Sequence, residues 1–463
     1  MMRAIQKTIN KLIFKCRLKE YNKTRNNGNV IFCYAPSKAL RFSLNGHAFV
    51  CCFNRLNSLG RYPINSISDI WNNSIKEDLH KSINYKQNNT LGCHYCYDTI
   101  MSKSFHLTGA RNYDNYNNEV TSNYPLLIDF ELSNTCNLKC IMCNGENSSS
   151  IRSQIENKDN YPNYYDDYFL EQLTEFIPYL KETRFSGGEP FLIDLYYDLW
   201  DKIHSINPLC KIIIQTNGTI INEKILELYS KYNFHLSFSI DSVNKTTYES
   251  IRIGASFEKV MSNFEIIHKL SQKLNREIGV SICILKNNIR EFRDYVNYFN
   301  NLNTKITIHK VLTPINHSIY SLSISELESI KKDFISYKFT SKNSIEEWNN
   351  KLFSSVVFFI ESVLKLKKAN DSNKEIQTSK NSRAAFISII QRVINDNVSA
   401  IPKEILIEKI EELILNIDKI QNSKEVYDNI IHLPDEYIIS ELNINDIDRI
   451  ISRITANKNH KND

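Results

Sequence analysis

Three cysteines within eight residues constrain this chain more than any other feature of its sequence. Cys136, Cys140 and Cys143 are separated by three and two residues, and they follow residues 126–132, whose apolar run predicts a buried strand. Thiols this close together suit one compact site for a soft metal, and thiolates are the usual ligands of iron–sulfur clusters. Because three thiolates leave one iron of a four-iron cluster open, the motif predicts a site where a substrate can bind to iron.

A Gly-Gly-Glu-Pro motif follows another strand-like run at residues 182–185. Together with Cys-x3-Cys-x2-Cys, it resembles the radical SAM superfamily, in which a [4Fe-4S] cluster binds S-adenosylmethionine (SAM) through the open iron. The resemblance implies that the three cysteines hold this cluster and that Gly187, Gly188 and Glu189 take the methionine amino group of SAM. Glycines let the backbone come close to a ligand, and a carboxylate accepts hydrogen bonds from an ammonium group.

From residue 124 onward, strand-like runs alternate with amphipathic helical patterns. The predicted strands are residues 126–132, 182–185, 211–215, 235–240, 277–282 and 305–311. This alternation predicts an α/β fold with parallel strands and right-handed crossovers. The resemblance implies that residues 124–319 form a partial (β/α)6 radical SAM barrel, whose chemistry gathers at the carboxyl ends of its strands.

Further polar residues follow the third and fourth of these strands. Ser239 and Asp241 end a strand with a hydroxyl and a carboxylate, a pair that suits ribose hydroxyls and resembles the ribose motif of the family. Arg252 matches an arginine that meets the SAM carboxylate in related enzymes, where a guanidinium–carboxylate fork explains the choice of Arg. Asn217 either contacts SAM or shapes the turn with Gly218.

A second cysteine region occupies residues 29–105. Asn45-Gly46 between two alternating runs predicts a β-hairpin, which leads into Cys51 and Cys52. The cysteine spacing is similar to that of SPASM and twitch domains, which bind auxiliary iron–sulfur clusters. The resemblance implies an auxiliary cluster, expected to be [4Fe-4S], on Cys33, Cys51, Cys93 and Cys96. Cys52 is the alternative to Cys51, although alternation along a strand turns it to the opposite face.

Zinc is the alternative metal for this second region. The same four thiols suit a small structural zinc site, and their spacing alone does not separate zinc from iron. The neighbouring radical SAM signature favours iron. The region precedes the barrel, whereas it follows the barrel in the best-known relatives; this order matches a smaller radical SAM group with an N-terminal twitch domain.

Three segments lie outside these two regions. Residues 1–28 predict a basic amphipathic helix, either packed on a neighbouring domain or docked on a membrane surface or a peptide. Residues 106–123 predict a linker. Residues 320–463 contain no cysteine and predict an all-α C-terminal extension. This extension is either a cap or substrate-docking element, or a structural or dimerising bundle.

Composition limits the location and the partners of the chain. Its 463 residues suffice for two or three domains, and a net charge of +5 is too small to indicate a nucleic-acid partner. Eleven cysteines in so long a chain are not a disulfide scaffold, and their clustering indicates metal binding in a reducing compartment. No run approaches the roughly eighteen apolar residues of a membrane span. We therefore expect a cytoplasmic protein.

The resemblance implies a radical SAM oxidoreductase or maturase. Such an enzyme reductively cleaves SAM to a 5′-deoxyadenosyl radical, which abstracts hydrogen from a substrate, and it takes its electron from a donor of the flavodoxin or ferredoxin type. The expected substrate is a ribosomally made peptide; the alternative is a small metabolite such as a sugar or an amino acid. A non-catalytic regulator that binds SAM and an iron–sulfur cluster is less favoured, because it has no need of an open iron. The sequence assigns no catalytic residue apart from these cofactor ligands.

Overall fold

A computed structural model describes residues 2–25, 31–84, 92–116, 123–372, 382–395, 403–431, 433–444 and 447–455. The described strands are β1 (Ala39–Phe42), β2 (His47–Phe49), β3 (Gly60–Arg61), β4 (Leu127–Phe130), β5 (Glu182–Phe185), β6 (Lys211–Thr216), β7 (Phe234–Ser239), β8 (Ile278–Ile284) and β9 (Lys305–Lys310). They form one nine-stranded sheet in the order β3-β2-β1-β4-β5-β6-β7-β8-β9.

Helices cover this sheet and make up the regular structure after it. In chain order they are α1 (Met2–Lys23), α2 (Ala35–Lys38), α3 (Ile67–Trp71), α4 (Ser74–Asn84), α5 (His94–Met101), α6 (Ser149–Gln154), α7 (Asp167–Leu173), α8 (Asp194–Ile206), α9 (Glu223–Lys231), α10 (Lys245–Ile251), α11 (Phe257–Lys273), α12 (Phe292–Asn301), α13 (Ile324–Ser336), α14 (Ser344–Ser372), α15 (Ser382–Asn395), α16 (Lys403–Asp418), α17 (Ser423–Ile430), α18 (Asp435–Ile444) and α19 (Ile447–Thr455). Short 3-10 helices span Phe105–Leu107, Gly109–Tyr116, Ile177–Tyr179, Pro190–Leu192, Ile289–Glu291, Ile315–His317 and Ile319–Ser321.

The six strands from β4 to β9 are parallel, as the alternation of patterns predicts. Each of them pairs with the next strand along the chain, and helices occupy every crossover. Phe130 on β4 lies opposite Phe185 on β5, and the two rings stack with centroids 5.1 Å apart. Trp200 on α8 is fully buried against the Phe185 ring. This mixed α/β fold with a parallel sheet matches a radical SAM barrel-like domain, and burial of such aromatic side chains stabilises it.

The N-terminal strands belong to the same sheet as the barrel. β1 and β2 form the predicted antiparallel hairpin, and β1 also runs parallel to β4 with Arg41 opposite Asp129. Gly46 turns the hairpin with φ +81°, and a Cβ at this position would lie 2.3 Å from the Tyr62 carbonyl oxygen. Only glycine avoids both the unfavourable φ and that clash. The second cysteine region therefore extends the barrel sheet by three strands.

The described part of the predicted linker, residues 106–116, is packed against the rest of the molecule. Tyr113 and Tyr116 are buried within the 3-10 helix Gly109–Tyr116. Arg184 of β5 donates a hydrogen bond to the Asn112 carbonyl oxygen at 3.0 Å. These contacts differ from what a solvated linker would make, because aromatic residues in the segment bury apolar area on the barrel.

Helix α14 covers the free edge of β9. Asn349 accepts a hydrogen bond from the Ile306 N–H at 2.9 Å and donates one to the Thr304 carbonyl oxygen at 3.0 Å. The Trp348 indole N–H donates to the Ile306 carbonyl oxygen at 3.0 Å. Two side chains thus take the place of a neighbouring strand and satisfy backbone groups that an exposed edge would leave open.

Helix α1 packs on the second cysteine region. Phe14 stacks on Tyr97 of α5 with ring centroids 4.6 Å apart, and Tyr21 is fully buried. Among the helices that the structure describes, none combines the length and the apolar character that a membrane crossing requires.

Candidate metal and cofactor site

The loop after β4 presents Cys136, Cys140 and Cys143, and hydrogen bonds fix it on both sides. The Lys139 N–H donates to the Ile253 carbonyl oxygen at 2.9 Å, and the Ile141 N–H donates to the Ile251 carbonyl oxygen at 3.0 Å. On the other side, Ser148 Oγ donates to the Leu138 carbonyl oxygen at 2.6 Å. The loop is therefore tied to the end of α10 and to the start of α6, so the backbone that carries the three thiols is firmly positioned.

Of these three thiols, Cys140 has surroundings that favour the thiolate. Cys140 and Cys143 share a hydrogen bond, and Arg252 Nη1 lies 4.0 Å from Cys140 Sγ. The hydrogen bond from Cys143 and the charge of Arg252 together lower the pKa of Cys140. Burial raises the pKa of Cys136 to about 11, so a metal that binds there has to replace a proton. A guanidinium beside a thiol is the environment in which a thiolate is favoured.

The Gly-Gly-Glu-Pro loop after β5 lies against the backbone of the cysteine loop. Gly187 has φ +87° and Gly188 has φ +45°. A Cβ on Gly188 would lie 2.1 Å from the Thr135 carbonyl oxygen, and one on Gly187 would lie 2.6 Å from the Ser133 carbonyl oxygen. The sequence suggested glycines for the approach of a ligand; in the structure they also permit the two loops to touch.

Glu189 connects the ends of β5 and β6. It is fully buried and accepts hydrogen bonds from the Asn217 N–H at 2.6 Å, the Thr216 hydroxyl at 2.8 Å and the Phe191 N–H at 3.3 Å. Burial raises the pKa of Glu189 to about 7, although these three donors favour the carboxylate. The carboxyl group therefore holds the loops together, whatever it does toward a ligand.

Asn217 shapes the turn after β6 and also contacts the cysteine loop. Its Oδ1 accepts hydrogen bonds from the Thr219 N–H at 2.9 Å and the Thr219 hydroxyl at 2.7 Å. Its Nδ2 donates to Asn137 Oδ1 at 2.9 Å. The bonds to Thr219 shape the turn, which is one of the two roles that the sequence left open for Asn217.

Asp241 and Arg252 form a buried ion pair beside the cysteine loop. Arg252 Nε lies 2.7 Å from Asp241 Oδ2, and Asp241 Oδ1 accepts a hydrogen bond from the Cys283 N–H at 2.7 Å. Arg252 thus lies between Asp241 and Cys140. Ser239 accepts a hydrogen bond from Gln215 Nε2 at 2.7 Å. The structure brings these predicted residues to the edge of the sheet that carries the three cysteines.

Other polar residues on the same face of the sheet were not found from the sequence. Gln215 Nε2 also donates to Ser281 Oγ at 2.7 Å, and Cys283 of β8 lies opposite His309 of β9. His309 keeps an accessible side chain, yet protein surrounds it and burial lowers its pKa, with Asp241 and Arg252 among the charges that act on it. It lies on the same face of the sheet as Cys283. The sequence feature that could have indicated His309 is the alternation Lys305-x-Thr307-x-His309 along β9.

The four predicted thiols of the second region line one small cavity: Cys33, Cys51, Cys93 and Cys96. Three N–H groups point at sulfur, from Ala35 to Cys33 at 3.4 Å and from Asn54 to Cys51 and Cys93 at 3.3 Å each. Hydrogen bonds to sulfur are a means by which proteins stabilise bound clusters and tune their potentials. The donor set and its apolar wall fit a thiolate-bound cluster.

Cys52 faces away from that cavity. Its charged neighbours are Arg41 and Asp129, and burial raises its pKa to about 12. Burial raises the pKa of Cys51 to about 11, and Cys93 and Arg41 are among the groups whose charges act on it. Alternation along the chain after β2 accounts for the difference, and the geometry agrees with Cys51 rather than Cys52 as the ligand.

Within the part of the chain that the structure describes, no three His, Cys, Asp or Glu side chains are placed to share a single metal ion. The thiolates of a four-iron cluster bind different irons, so its ligands need not meet at one point. All eleven cysteines are free thiols.

Comparison with known proteins agrees with this geometry. Residues 130–299, from the last residue of β4 into α12, match the family model of the Radical SAM superfamily. This part of the chain is therefore similar to a radical SAM domain. The match includes the cysteine loop, the Gly-Gly-Glu-Pro loop and Arg252.

Curated relatives cover part of the chain. An AdoMet-dependent heme synthase of Methanosarcina barkeri is 26% identical over 172 residues, which are 37% of this chain and 46% of the relative. A GTP 3′,8-cyclase of Clostridium botulinum is 23% identical over 167 residues, which are 36% of this chain and 50% of the relative. The chain spans about half the length of the curated relatives it matches.

Solved structures also align with only part of this chain. Native anSMEcpe with bound AdoMet gives a TM-score of 0.36 with 21% identity, covering 45% of this chain and 59% of that one. Streptococcus suis SuiB bound to precursor peptide SuiA gives a TM-score of 0.34 with 15% identity, covering 54% of this chain and 52% of that one.

Proposed function

We propose that this protein is a radical SAM enzyme that holds a [4Fe-4S] cluster on Cys136, Cys140 and Cys143. The observation that carries the proposal is the meeting of the three loops after β4, β5 and β6 inside a stretch that matches the superfamily. When bound, the cluster supplies the electron that cleaves SAM reductively to a 5′-deoxyadenosyl radical, which takes hydrogen from the substrate. The electron donor is of the flavodoxin or ferredoxin type.

The residues around the cysteine loop would bind and orient SAM. Arg252 lies beside Cys140, so its guanidinium is available on the side where the SAM carboxylate would approach the cluster. Glu189 and the backbone of Gly187 and Gly188 would take the amino group. Each carboxylate oxygen can accept more than one hydrogen bond, so the existing bonds of Glu189 leave capacity for an ammonium donor.

Ser239 and Asp241 would take the ribose hydroxyls. Asp241 already pairs with Arg252 and with the Cys283 N–H, which fixes its carboxylate in one orientation. A buried group that is held before its ligand arrives loses little entropy on binding. The same reasoning applies to Ser239, which Gln215 holds.

His309 would act on the substrate from the inner face of the sheet. Burial lowers its pKa, so its imidazole is neutral near pH 7 and can accept a proton. It lies opposite Cys283, whose backbone N–H is bonded to Asp241. A substrate carbon in this space would be close to both the SAM-binding residues and a proton acceptor.

The second cysteine region would bind an auxiliary iron–sulfur cluster, as a twitch domain does. Four thiolates close the coordination of a cluster, which suits electron transfer with the substrate or holding of the substrate rather than SAM cleavage. The three N–H groups that point at Cys33, Cys51 and Cys93 support this assignment.

A ribosomally made peptide is the proposed substrate, because SPASM and twitch domains accompany many peptide maturases. A small metabolite is the second candidate. It is favoured by the relatives named AdoMet-dependent heme synthase and GTP 3′,8-cyclase, whose names indicate small-molecule chemistry.

The test is release of 5′-deoxyadenosine from SAM by anaerobically reconstituted protein with dithionite. We expect release from the wild type and from Cys16→Ala, since Cys16 is exposed and outside both groups. Failure of the reconstituted wild type to cleave SAM would refute the proposal that this protein is a radical SAM enzyme. Candidate peptides and candidate metabolites are then compared by how far each raises 5′-deoxyadenosine formation and by the mass lost from each.

A further inference from the structure

A cavity of about 560 Å³ lies on the side of the molecule where β9 ends. Helices α5 and α14, the segment after β9 and the start of α18 all contribute to its wall. Residues from α5 matter because this helix also carries Cys96, so a ligand in the cavity would lie beside the second cysteine region. The proposed function assigns nothing to this cavity.

Lys310 is the feature of the cavity that points to a ligand. It is the last residue of β9, and its Nζ lies 4.2 Å from the ring centroid of Tyr95 and 5.1 Å from that of Phe359. Within the described ranges, Lys310 makes neither a hydrogen bond nor an ion pair. Two aromatic faces attract its ammonium, but they do not replace the hydrogen bonds that water would supply.

The other cations around the cavity already have carboxylate partners. Arg17 pairs with Glu20 at 2.9 Å, and Lys365 pairs with Glu361 at 3.4 Å. The further titratable groups that line the cavity are His94, Asp98, Lys103, Tyr320, Tyr437 and the carboxyl group of Glu361. Burial lowers the pKa of Lys310 to about 8, and Asp98 opposes that effect. An incoming anion would therefore reach Lys310 in competition with Asp98, whose charge already acts on its ammonium.

Apolar side chains line much of the remaining wall, together with Ser102 and Ser362. Met101, Leu312, Tyr320 and Leu366 line the cavity between α5 and α14. Such a wall suits an aliphatic or aromatic body, and one fixed charge at its end gives orientation.

We propose that this cavity binds a ligand that joins a carboxylate to an apolar body, with the Lys310 ammonium as the anchor of the carboxylate. Free organic acids and acidic residues of a peptide share this chemistry. The experiment has one arm for each source, and neither arm depends on SAM cleavage.

Isothermal titration of the full-length, cluster-loaded protein at pH 7 tests the proposal with two matched pairs of probes. 4-Phenylbutyrate is compared with 4-phenylbutanamide, and acetyl-Phe-Glu-Leu-amide with acetyl-Phe-Gln-Leu-amide. We expect the acid of at least one pair to bind about tenfold or more tightly than its amide, the scale of one charge-assisted contact. A preference in the first pair alone identifies a free acid, and one in the peptide pair alone identifies a peptide residue.

Variants locate the preference at Lys310. Lys310→Met should remove it, whereas Lys310→Arg should retain part of it and serves as the folded comparison if the Met variant unfolds. Lys365→Met is the matched control, because Lys365 lines the same cavity with a 76% exposed side chain. Asp98→Asn should strengthen acid binding. Equal binding of acid and amide in both pairs, or a preference that survives in Lys310→Met, would overturn the proposal.

Discussion

The two cysteine groups differ in the charges that surround them. Beside Cys140 lie the buried ion pair of Arg252 and Asp241 and, across the loop, the carboxyl group of Glu189. Beside Cys51 and its three partners the donors to sulfur are the neutral N–H groups of Ala35 and Asn54. In the proposed assignment the first group therefore has charges that can hold a further ligand, whereas the described donors to sulfur in the second group are uncharged.

In the proposed assignment, the number of thiols in each group agrees with the charged or apolar character of the residues around them. Three thiols leave coordination to be completed by a ligand, and fixed charges that can hold a zwitterion are present where that ligand would bind. In the same assignment four thiols would complete the coordination of the second cluster, and the cavity beside them has a largely apolar wall.

Removing the first group should have the largest effect. Changing Cys136, Cys140 and Cys143 together to Ala should abolish 5′-deoxyadenosine release, because nothing else would bring SAM to iron. The iron content should fall from about eight to about four per chain if both clusters hold four irons. Iron analysis and chromatography measure the two results, with Cys210→Ala as the control because Cys210 belongs to neither group. Zinc in the remaining site would contradict the auxiliary cluster.

Removing the second group should separate SAM cleavage from product formation. The variant Cys93→Ala with Cys96→Ala should still release 5′-deoxyadenosine with dithionite, but it should form no finished product, since electron transfer at the second site is lost. Circular dichroism must first show that the variant is folded, because a domain can unfold without its metal.

The control for this variant is Cys52→Ala, which should keep its full iron content because Cys52 faces Arg41 and Asp129. A folded double variant that makes product at the normal rate would mean that the second site is only structural. Loss of SAM cleavage in the double variant would mean that the two sites are coupled.

Arg252 tests whether the charges of the first group serve SAM. Arg252→Ala should weaken SAM binding by about 1.5–3 kcal/mol, the scale of a hydrogen bond to a charged group. Arg252→Lys should lose less SAM affinity, since lysine keeps the positive charge but cannot make the bidentate contact of a guanidinium. Equilibrium binding of SAM to the reconstituted protein measures both, after thermal melts have checked the cost of leaving Asp241 unpaired. An unchanged dissociation constant in Arg252→Ala would remove Arg252 from the site.

Local sequence patterns predicted much of the barrel. The six parallel strands were found because apolar runs alternate with amphipathic helices, and the Asn45-Gly46 hairpin was found because its turn needs a left-handed residue. The pairing of β1 with β4 was not predicted. It joins Arg41 to Asp129, 88 residues apart, and no local pattern encodes such a contact.

The site was predicted as a set of residues but not as a network. Sequence motifs named Glu189 and Asp241, yet their hydrogen bonds to Asn217 and Cys283 depend on how separate loops meet. His309 was missed, because the alternation along β9 indicates a strand but does not show that the sheet brings this histidine near Arg252.

Replacement of Glu189, which lies beside the first cysteine group, should have the smallest effect. This effect is on the pH dependence of the free energy of unfolding. Replacing Glu189 by Gln puts an amide NH2 against at least one of its three donors, so the free energy of unfolding should fall by about 1–3 kcal/mol. The folded-state pKa of about 7 lies above the ordinary value of 4.5. The proton on Glu189 therefore stabilises the folded state most below pH 4.5, and this contribution is lost as the pH rises through 7. Urea unfolding between these pH values should show that the free energy of unfolding of Glu189→Gln depends less on pH than that of the wild type. An identical dependence would mean that Glu189 is ionised throughout, as its three donors alone would favour.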